Sequence, residues 1–472
     1  MRYPNIILIT VDSLRADHLG FMGYSKNTTP FLDSLVQEST VFSQAYSCGP
    51  VTPHSFPAIL TSTYPFDYLG PRYIDRPRVL ISEVFKQAGF VTATFNSNTY
   101  ISSFFGYDKG WDFFEDLSVP YETPEGYKEY IKAKTFFNRI IKDSFFKKTL
   151  PKISSDLLFW IIYVKYRITN SEKKFKVRAE FKNEIVKEFL KAQKHRKTPF
   201  FLWVHYMDTH IPYVSEKTRI KDKPLSFLEL AGSNFGYISS YSYFNGRKLP
   251  KSLYNFGKKH LYQITSFYDD EIKYLDSQME DFFTFLKREG FYDNSVISLT
   301  ADHGDEFLEH NGTSHFQKLY NELLHVPLVI KYPRQKNKEV IDKKVSLIDL
   351  APTLCDLAGV DVPKEFKGNS MFKNLRKILF HQTSSDTKGG RYYVFGFNRL
   401  EQCKIACQSK DWKYIIDFGK DIEELYNLNQ DPKEQVNLVS KEPDIISQMR
   451  AKLSEFIKEN PPFSLLTGKG DV

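Results

Sequence analysis

Five runs of this chain are almost unbroken in apolar, β-branched or aromatic residues: Asn5–Val11, Val91–Phe95, Phe200–Tyr206, Ser295–Thr300 and Val326–Tyr332. Strands that show no in-out alternation are covered on both faces, as in a parallel sheet. Helical patterns separate the runs, so the expected fold is α/β, a doubly wound and mostly parallel sheet. Such sheets carry ligands on loops beyond the carboxyl ends of their strands, where polar groups do not disturb the core. Asp12 follows the first run, Asn98 the second, Asp208 and His210 the third, and Asp302 with His303 the fourth. Taken singly, each could cap a helix or make a turn. Their recurrence at four strand ends points to one shared site.

The chain has 472 residues, enough for a large catalytic domain, read as 1–365, and a smaller C-terminal α+β subdomain, 366–472. Pro363, Lys364 and Lys367 mark the junction. In the smaller unit, strands are predicted at Tyr392–Phe397 and Trp412–Asp417 and a closing helix at Asp444–Ile457. A Lys-rich helical insert is read at about 117–197, with an apolar run at Leu157–Val164. Residues 128–182 hold 15 Lys/Arg against 5 Asp/Glu, more than the net +8 of the whole chain. No nucleic-acid-binding signature accompanies that charge, so nucleic acid is not an expected partner. The insert is a solvated face or a peripheral contact for an anionic surface. Cys48, Cys355, Cys403 and Cys407 have neither zinc-pair nor disulfide-framework spacing and are read as thiols. Met1–Thr10 lacks a leader pattern and no apolar run reaches membrane-spanning length, which implies a cytoplasmic protein; the oligomeric state is not legible.

Asp302-His303 offers an oxygen and a nitrogen ligand from adjacent residues. That pair suits one divalent ion such as Mn²⁺ or Zn²⁺ better than Ca²⁺ or Mg²⁺, which prefer oxygen. Asp12 would add a carboxylate, and the hydroxyl of Thr52 would gain a nucleophile's acidity beside such an ion.

Several stretches resemble known sequences. NIILITVDSLRADHLG (residues 5–20) is similar to the opening of the sulfatase family of the alkaline phosphatase superfamily, and DNSVISLTADHGDE (293–306) to its second metal segment. YNELLHVPLVI (320–330), DLAPT (349–353) and LYNLNQDPKEQVN (425–437) resemble later signatures, in family order. The resemblance implies a metal-dependent ester hydrolase with metal ligands Asp12, Thr52, Asp302 and His303. Counting from Ala45-Tyr46 and back from Leu60-Thr61 places the nucleophile at Thr52 and leaves Cys48 a bystander. Sulfatases of the family convert Cys or Ser there to formylglycine, which threonine cannot become. Ser13 replaces the family's second aspartate, His303 its asparagine and Phe56 its signature arginine. These departures point from sulfate and Ca²⁺ toward phosphate or phosphonate esters and a transition metal.

By the same resemblance His210 and His315 are catalytic, and Arg15, Asn98 and Lys318 bind the substrate's oxygens. Arg15 and Asn98 also fit helix-end roles. Of the other histidines, His18, His54, His205, His260, His310 and His325 are read as structural, as are Asp269, Asp270 and Glu271. The expected substrate is a small-molecule, glycan or lipid-headgroup ester. A phosphotransferase to an alcohol acceptor and a non-catalytic metal-binding homologue are the alternative readings.

Overall fold

The computed structural model describes residues 3–117 apart from 69, 72, 73, 75 and 76; residues 177–211 apart from 195 and 197; residue 213; residues 251–384; and residues 402–460. The strands in chain order are β1 Asn5–Val11, β2 Thr40–Tyr46, β3 Val91–Asn96, β4 Phe113–Asp116, β5 Phe200–Tyr206, β6 Ser295–Ala301, β7 Glu306–Phe307, β8 Thr313–Ser314, β9 His325–Lys331 and β10 Glu339–Ser346. A second group comprises β11 Leu379–Ser384, β12 Cys403–Gln408, β13 Trp412–Asp417 and β14 Ile422–Asn427.

The main sheet has the order β10-β2-β9-β6-β1-β5-β3-β4. β1 lies at its middle and pairs in parallel with both β5 and β6, with Val11 opposite Tyr206 on one side and Ala301 on the other. Ile6, Ile7, Leu8 and Ile9 are fully buried, as a strand covered on both faces requires. All five predicted runs are strands of this sheet, but the last, β9, runs antiparallel to both β6 and β2. An apolar run reports burial, not direction, so the sequence could not show this reversal.

The helix Leu261–Arg288 packs against helices Ala179–Gln193 and Pro30–Leu35 on the sheet. Ala179–Gln193 is the described remainder of the stretch read as an insert; it buries Ala179, Val186 and Leu190 in the main core. The apolar run 157–164 and the expected strand 392–397 lie outside the described residues. No helix among the described residues is long and apolar enough to cross a membrane.

β11–β14 form a four-stranded antiparallel sheet. The helix Pro443–Glu459 lays Ile446, Met449, Leu453 and Phe456 against it, one apolar stripe at helical spacing. The same cluster takes in Ala58, Tyr64 and Phe66 of the main domain. β11 also reaches the loop before Thr52: Gln382 N donates to Cys48 O at 2.8 Å, and His381 Nδ1 to Ser47 O at 2.7 Å. The small sheet thus braces the segment on which the candidate nucleophile stands.

Candidate active site

The site begins where β1 stops. Asp12 N donates to Tyr206 O at 2.9 Å, continuing the β1–β5 ladder by one residue. Ser13 then turns left-handed, with φ +60°. A non-glycine residue there costs about 1–2 kcal/mol, so the corner must be held by its surroundings. Tyr268 OH donates to Ser13 O at 2.7 Å and accepts from Arg15 N at 2.8 Å, while Thr209 Oγ1 donates to Asp12 O at 2.5 Å.

Because β6 runs parallel beside β1, Asp302 emerges next to Asp12. Its Oδ1 accepts from Ser13 N at 3.1 Å and His303 N at 2.9 Å, while its Oδ2 is buried and accepts no hydrogen bond. Burial and the negative charge of Asp12 push Asp302 well above the ordinary carboxylate range. Burial opposes ionisation of Asp12 too, but His210, His205 and His303 outweigh it and hold Asp12 well below its usual value. Two adjacent buried carboxylates driven apart in this way form a pair that a cation would relieve.

Thr52 opens the helix Thr52–Thr61, every residue of which is buried. Its Oγ1 lies 3.4 Å from Asp12 Oδ2 and 3.5 Å from His303 Nε2, and Asn98 Nδ2 is 3.3 Å away. The positive end of the helix dipole sits at this hydroxyl and favours negative charge there. Cys48 stands apart: its thiol faces Ser346 Oγ at 3.2 Å, and burial pushes it up to about 12. Asn98 satisfies a capping and a site role with different atoms. Its Oδ1 accepts from Tyr100 N at 3.0 Å, which turns Nδ2 toward Asp12 Oδ2 at 2.8 Å.

His303 Nδ1 lies 2.9 Å from Gly304 O, an acceptor, so that nitrogen carries the proton and Nε2 presents a lone pair to the carboxylates. His315 stands beside it and His210 beside His315, with ring centres 4.5 Å from His303 to His315 and 5.0 Å from His315 to His210. His315 Nδ1 is 2.6 Å from Asp305 Oδ1, and Tyr213 OH donates to the other oxygen of that carboxylate. Burial, with His303 nearby, holds the His315 imidazole down to about 3; burial raises Asp305 to about 6. At neutral pH the pair is therefore a neutral imidazole donating to a carboxylate. His210 donates from Nδ1 to Ile211 O at 2.7 Å.

Two expected oxygen binders are placed elsewhere. Arg15 spends its guanidinium on Asp17 (2.9 and 2.7 Å), Glu309 (2.6 Å) and Asp305 O (2.9 Å). Lys318 Nζ donates to both oxygens of buried Glu306 at 2.8 and 2.6 Å and to His310 O at 2.8 Å. Each cation has met a nearer carboxylate. Asp208 pairs with Arg178 Nε at 3.2 Å and accepts from Ala179 N at the start of a helix.

His205, read as structural, instead borders the site. Asp12, His205 and Asp302 each offer a ligand atom, all within 4.8 Å of one another. The signal was present in FFLWVHY, a buried strand with one imidazole opposite Thr10, two residues from Asp12. Buried carboxylates, an orphaned Asp302 oxygen and imidazoles with outward lone pairs fit a divalent ion.

Residues 4–360 match the sulfatase family model, and residues 312–459 match the model for the N-sulphoglucosamine sulphohydrolase C-terminal region. The chain belongs to the sulfatase family. Among curated members it is 25% identical to an ulvan-active sulfatase of Formosa agariphila, over 78% of this chain and 64% of that protein. It is 25% identical to arylsulfatase K of Bos taurus, over 43% of this chain but only 38% of the relative, so some of these sulfatases are matched over less than two thirds of their length. An arylsulfatase of Clostridium perfringens is 26% identical over 93% of this chain and 91% of its own. The fold of this sulfatase-family chain is shared by the phosphonate monoester hydrolase of Agrobacterium radiobacter (TM-score 0.67, 18% identity, 97% of this chain and 95% of that one). A structure solved with its substrate D-glucosamine-2-N,6-O-disulfate has a TM-score of 0.67 at 17% identity, covering 98% and 99%.

Proposed function

We propose that this sulfatase-family chain hydrolyses a phosphoric or phosphonic ester in preference to a sulfuric one, with Thr52 as nucleophile. The observation that carries this reading is the Thr52 hydroxyl, set at the positive end of a helix among Asp12, Asn98 and His303. Threonine cannot be converted to formylglycine, so the chemistry must suit an unmodified alcohol.

Asp12, Asp302 and His303, with Thr52, would hold one divalent ion, Mn²⁺ or Zn²⁺ rather than Ca²⁺ or Mg²⁺ by donor type. When bound, it would supply Lewis acidity that eases loss of the Thr52 proton and offsets charge on the ester oxygens. The amide of Asn98 orients Oγ1 and stabilises it as it loses its proton. Thr52 Oγ attacks phosphorus as its proton leaves, the bond to the alcohol oxygen breaks, and His210, protonated at Nε2 while its Nδ1 donates to Ile211 O, gives that oxygen a proton that balances the one Thr52 loses. Water then attacks the phosphothreonine, giving its proton to an imidazole, and Thr52 recovers its hydroxyl. Asp305 fixes the tautomer of His315, and its negative charge offsets the burial that disfavours the imidazolium, so that Nε2 takes the proton and passes it to Thr52 Oγ as the bond to phosphorus breaks.

Relatives named for ulvan and for a disulfated glucosamine suggest a glycan or small-molecule ester as substrate class. A cytoplasmic location and a lipid-headgroup ester belong to the same proposal. A panel of nitrophenyl sulfate, phosphate monoester, phosphodiester and phosphonate, each with Mn²⁺, Zn²⁺, Mg²⁺ and Ca²⁺, tests it. Highest kcat/KM on a phosphorus ester with Mn²⁺ or Zn²⁺ is expected. Highest turnover on the sulfate with Ca²⁺ would overturn it.

A further inference from the structure

We propose that His205 is a direct ligand of the divalent ion, so that the site offers two imidazoles and two carboxylates. The proposal rests on the reading that the Asp12–Asp302–His303 cluster holds a metal, and it adds a residue to that cluster from the opposite side. His303 approaches from β6, with Nε2 3.4 Å from Asp302 Oδ2 and 3.9 Å from Asp12 Oδ1. His205 approaches from β5, with Nε2 3.5 Å from Asp12 Oδ2.

Three observations set His205 apart from a histidine that merely fills the core. First, it is fully buried, yet the nearest partner of Nε2 is Asp12 Oδ2 at 3.5 Å, beyond a good hydrogen bond, and the Oδ2 of Asp302, a member of the same cluster, likewise lacks a well-placed donor. Leaving a buried polar atom without a partner is unfavourable; a single ion would satisfy both. Second, the ring is fixed. Nδ1 lies 2.9 Å from Thr10 Oγ1, and Phe56 meets the imidazole edge to face with ring centres 5.1 Å apart. The backbone is fixed as well, since buried Lys182 donates to His205 O. Third, the tautomer a ligand needs is available. Thr10 Oγ1 already accepts from Trp203 Nε1 at 2.9 Å and keeps a second lone pair for His205 Nδ1–H, which leaves the Nε2 lone pair facing the carboxylates.

Ser13 adds no acidic ligand, because its hydroxyl donates back to Asp12 Oδ1 at 2.8 Å. Two imidazoles and two carboxylates suit Zn²⁺ or Mn²⁺ and fall short of the six to eight oxygens that Ca²⁺ takes.

The test uses the full chain, stripped with chelator and reloaded with Zn²⁺ or Mn²⁺. X-ray absorption of the zinc-loaded protein should count two imidazoles in the wild type and one in His205→Asn. Affinity in the variant should fall about 100-fold by competition with a chelator, an effect at or beyond that of losing a group outside the ligand shell. Asp302→Asn should abolish uptake, which locates the ion. Because His205→Asn could fail to fold, electron spin echo spectroscopy of Mn²⁺ in ¹⁵N-histidine-labelled wild type gives an independent count. One imidazole in the wild type, unchanged in the variant, would overturn the role of His205 and leave the metal cluster standing. No uptake of any divalent ion by the wild type would overturn both readings.

Discussion

Asp12 and Arg15 leave the same strand three residues apart and were both read as parts of the site, yet they end in different surroundings. Asp12 stands beside Asn98 and Thr52; Arg15 is locked onto Asp17 and Glu309. The same split separates Asp302-His303 from Lys318, which is held by Glu306. Residues at the ends of adjacent parallel strands have no choice of destination, because the ladder register delivers them to one place. A cation on a long side chain further along the loop goes to whichever carboxylate lies within its reach, exposed Asp17 and half-buried Glu309 for Arg15, buried Glu306 for Lys318. Strand ends therefore gather the candidate site residues here, and the loop cations hold the loops that frame them.

The largest expected effect breaks the strand-end half of this contrast. Thr52→Ala should lower kcat on the best phosphorus ester by at least ~10³-fold, with Thr52→Ser retaining measurable turnover. Activity unchanged in the alanine variant would remove Thr52 from the chemistry.

Asp302→Asn comes next and separates function from stability. Its carboxylate is raised by burial and by Asp12, so in the folded, metal-free protein the ionised form is a burden. For a carboxyl whose folded pKa lies above its unfolded value, stability falls as pH rises through that range. The metal-free variant should therefore match or exceed the wild-type Tm, by on the order of 2 °C, and its advantage should widen as pH rises above the ordinary aspartate range. It should also lose the Tm rise that Mn²⁺ or Zn²⁺ gives the wild type. A metal-free variant that melts well below the wild type at pH 8 would contradict the opposed shifts of the pair.

The central strands were legible because burial on both faces leaves a one-dimensional signature, and their ends located Asp12, Asn98 and Asp302-His303. The strands on one flank were not. β10 reads EVIDKKVS, with exposed charges that protect an open edge, and β2, next to it and paired on both sides, carries Ser43 and Gln44 amid its apolar residues. His205 was missed for the opposite reason: it lies inside the most apolar strand, where a histidine is ordinarily filler. Its significance depends on its neighbour across the ladder, Thr10, and on Phe56 from a helix far away in sequence. The pairings of Arg15 and Lys318 were illegible because they depend on loop paths that no periodicity encodes. Asp305 belongs with them, since only the fold brings Tyr213 and His315 to its two oxygens.

Lys318→Met sharpens the loop half. Its removal leaves Glu306 buried with its charge uncompensated, which should cost about 3 kcal/mol of stability. KM at a permissive temperature should change less than about threefold. A tenfold rise in KM with unchanged Tm would return Lys318 to the substrate.

The smallest effect concerns the place where the site loop meets the C-terminal sheet. His310 stacks on Tyr320 with ring centres 3.6 Å apart. Its Nδ1 lies 2.6 Å from Glu322 Oε1 and its Nε2 2.9 Å from Glu434 O, so both nitrogens face acceptors and the protonated ring satisfies both. Accordingly its pKa is raised: burial opposes the charge, but Glu322 outweighs it. Glu322 is lowered in turn, with burial outweighed by His310. The histidine's contribution is fully present below its unfolded value of 6.5 and fades as pH rises through its folded one; that of the glutamate is present above 4.5 and lost below. The ion pair is thus strongest between those limits. His310→Gln keeps polar contact without charge, so its Tm deficit should be greatest near pH 5.5–6 and shrink by pH 9. With solvent screening the deficit is on the order of 1 kcal/mol or less. Turnover, corrected for the folded fraction, should barely change, because this histidine braces the frame and touches none of the strand-end residues. A deficit that grew with pH would mean that the ring is neutral in the folded protein.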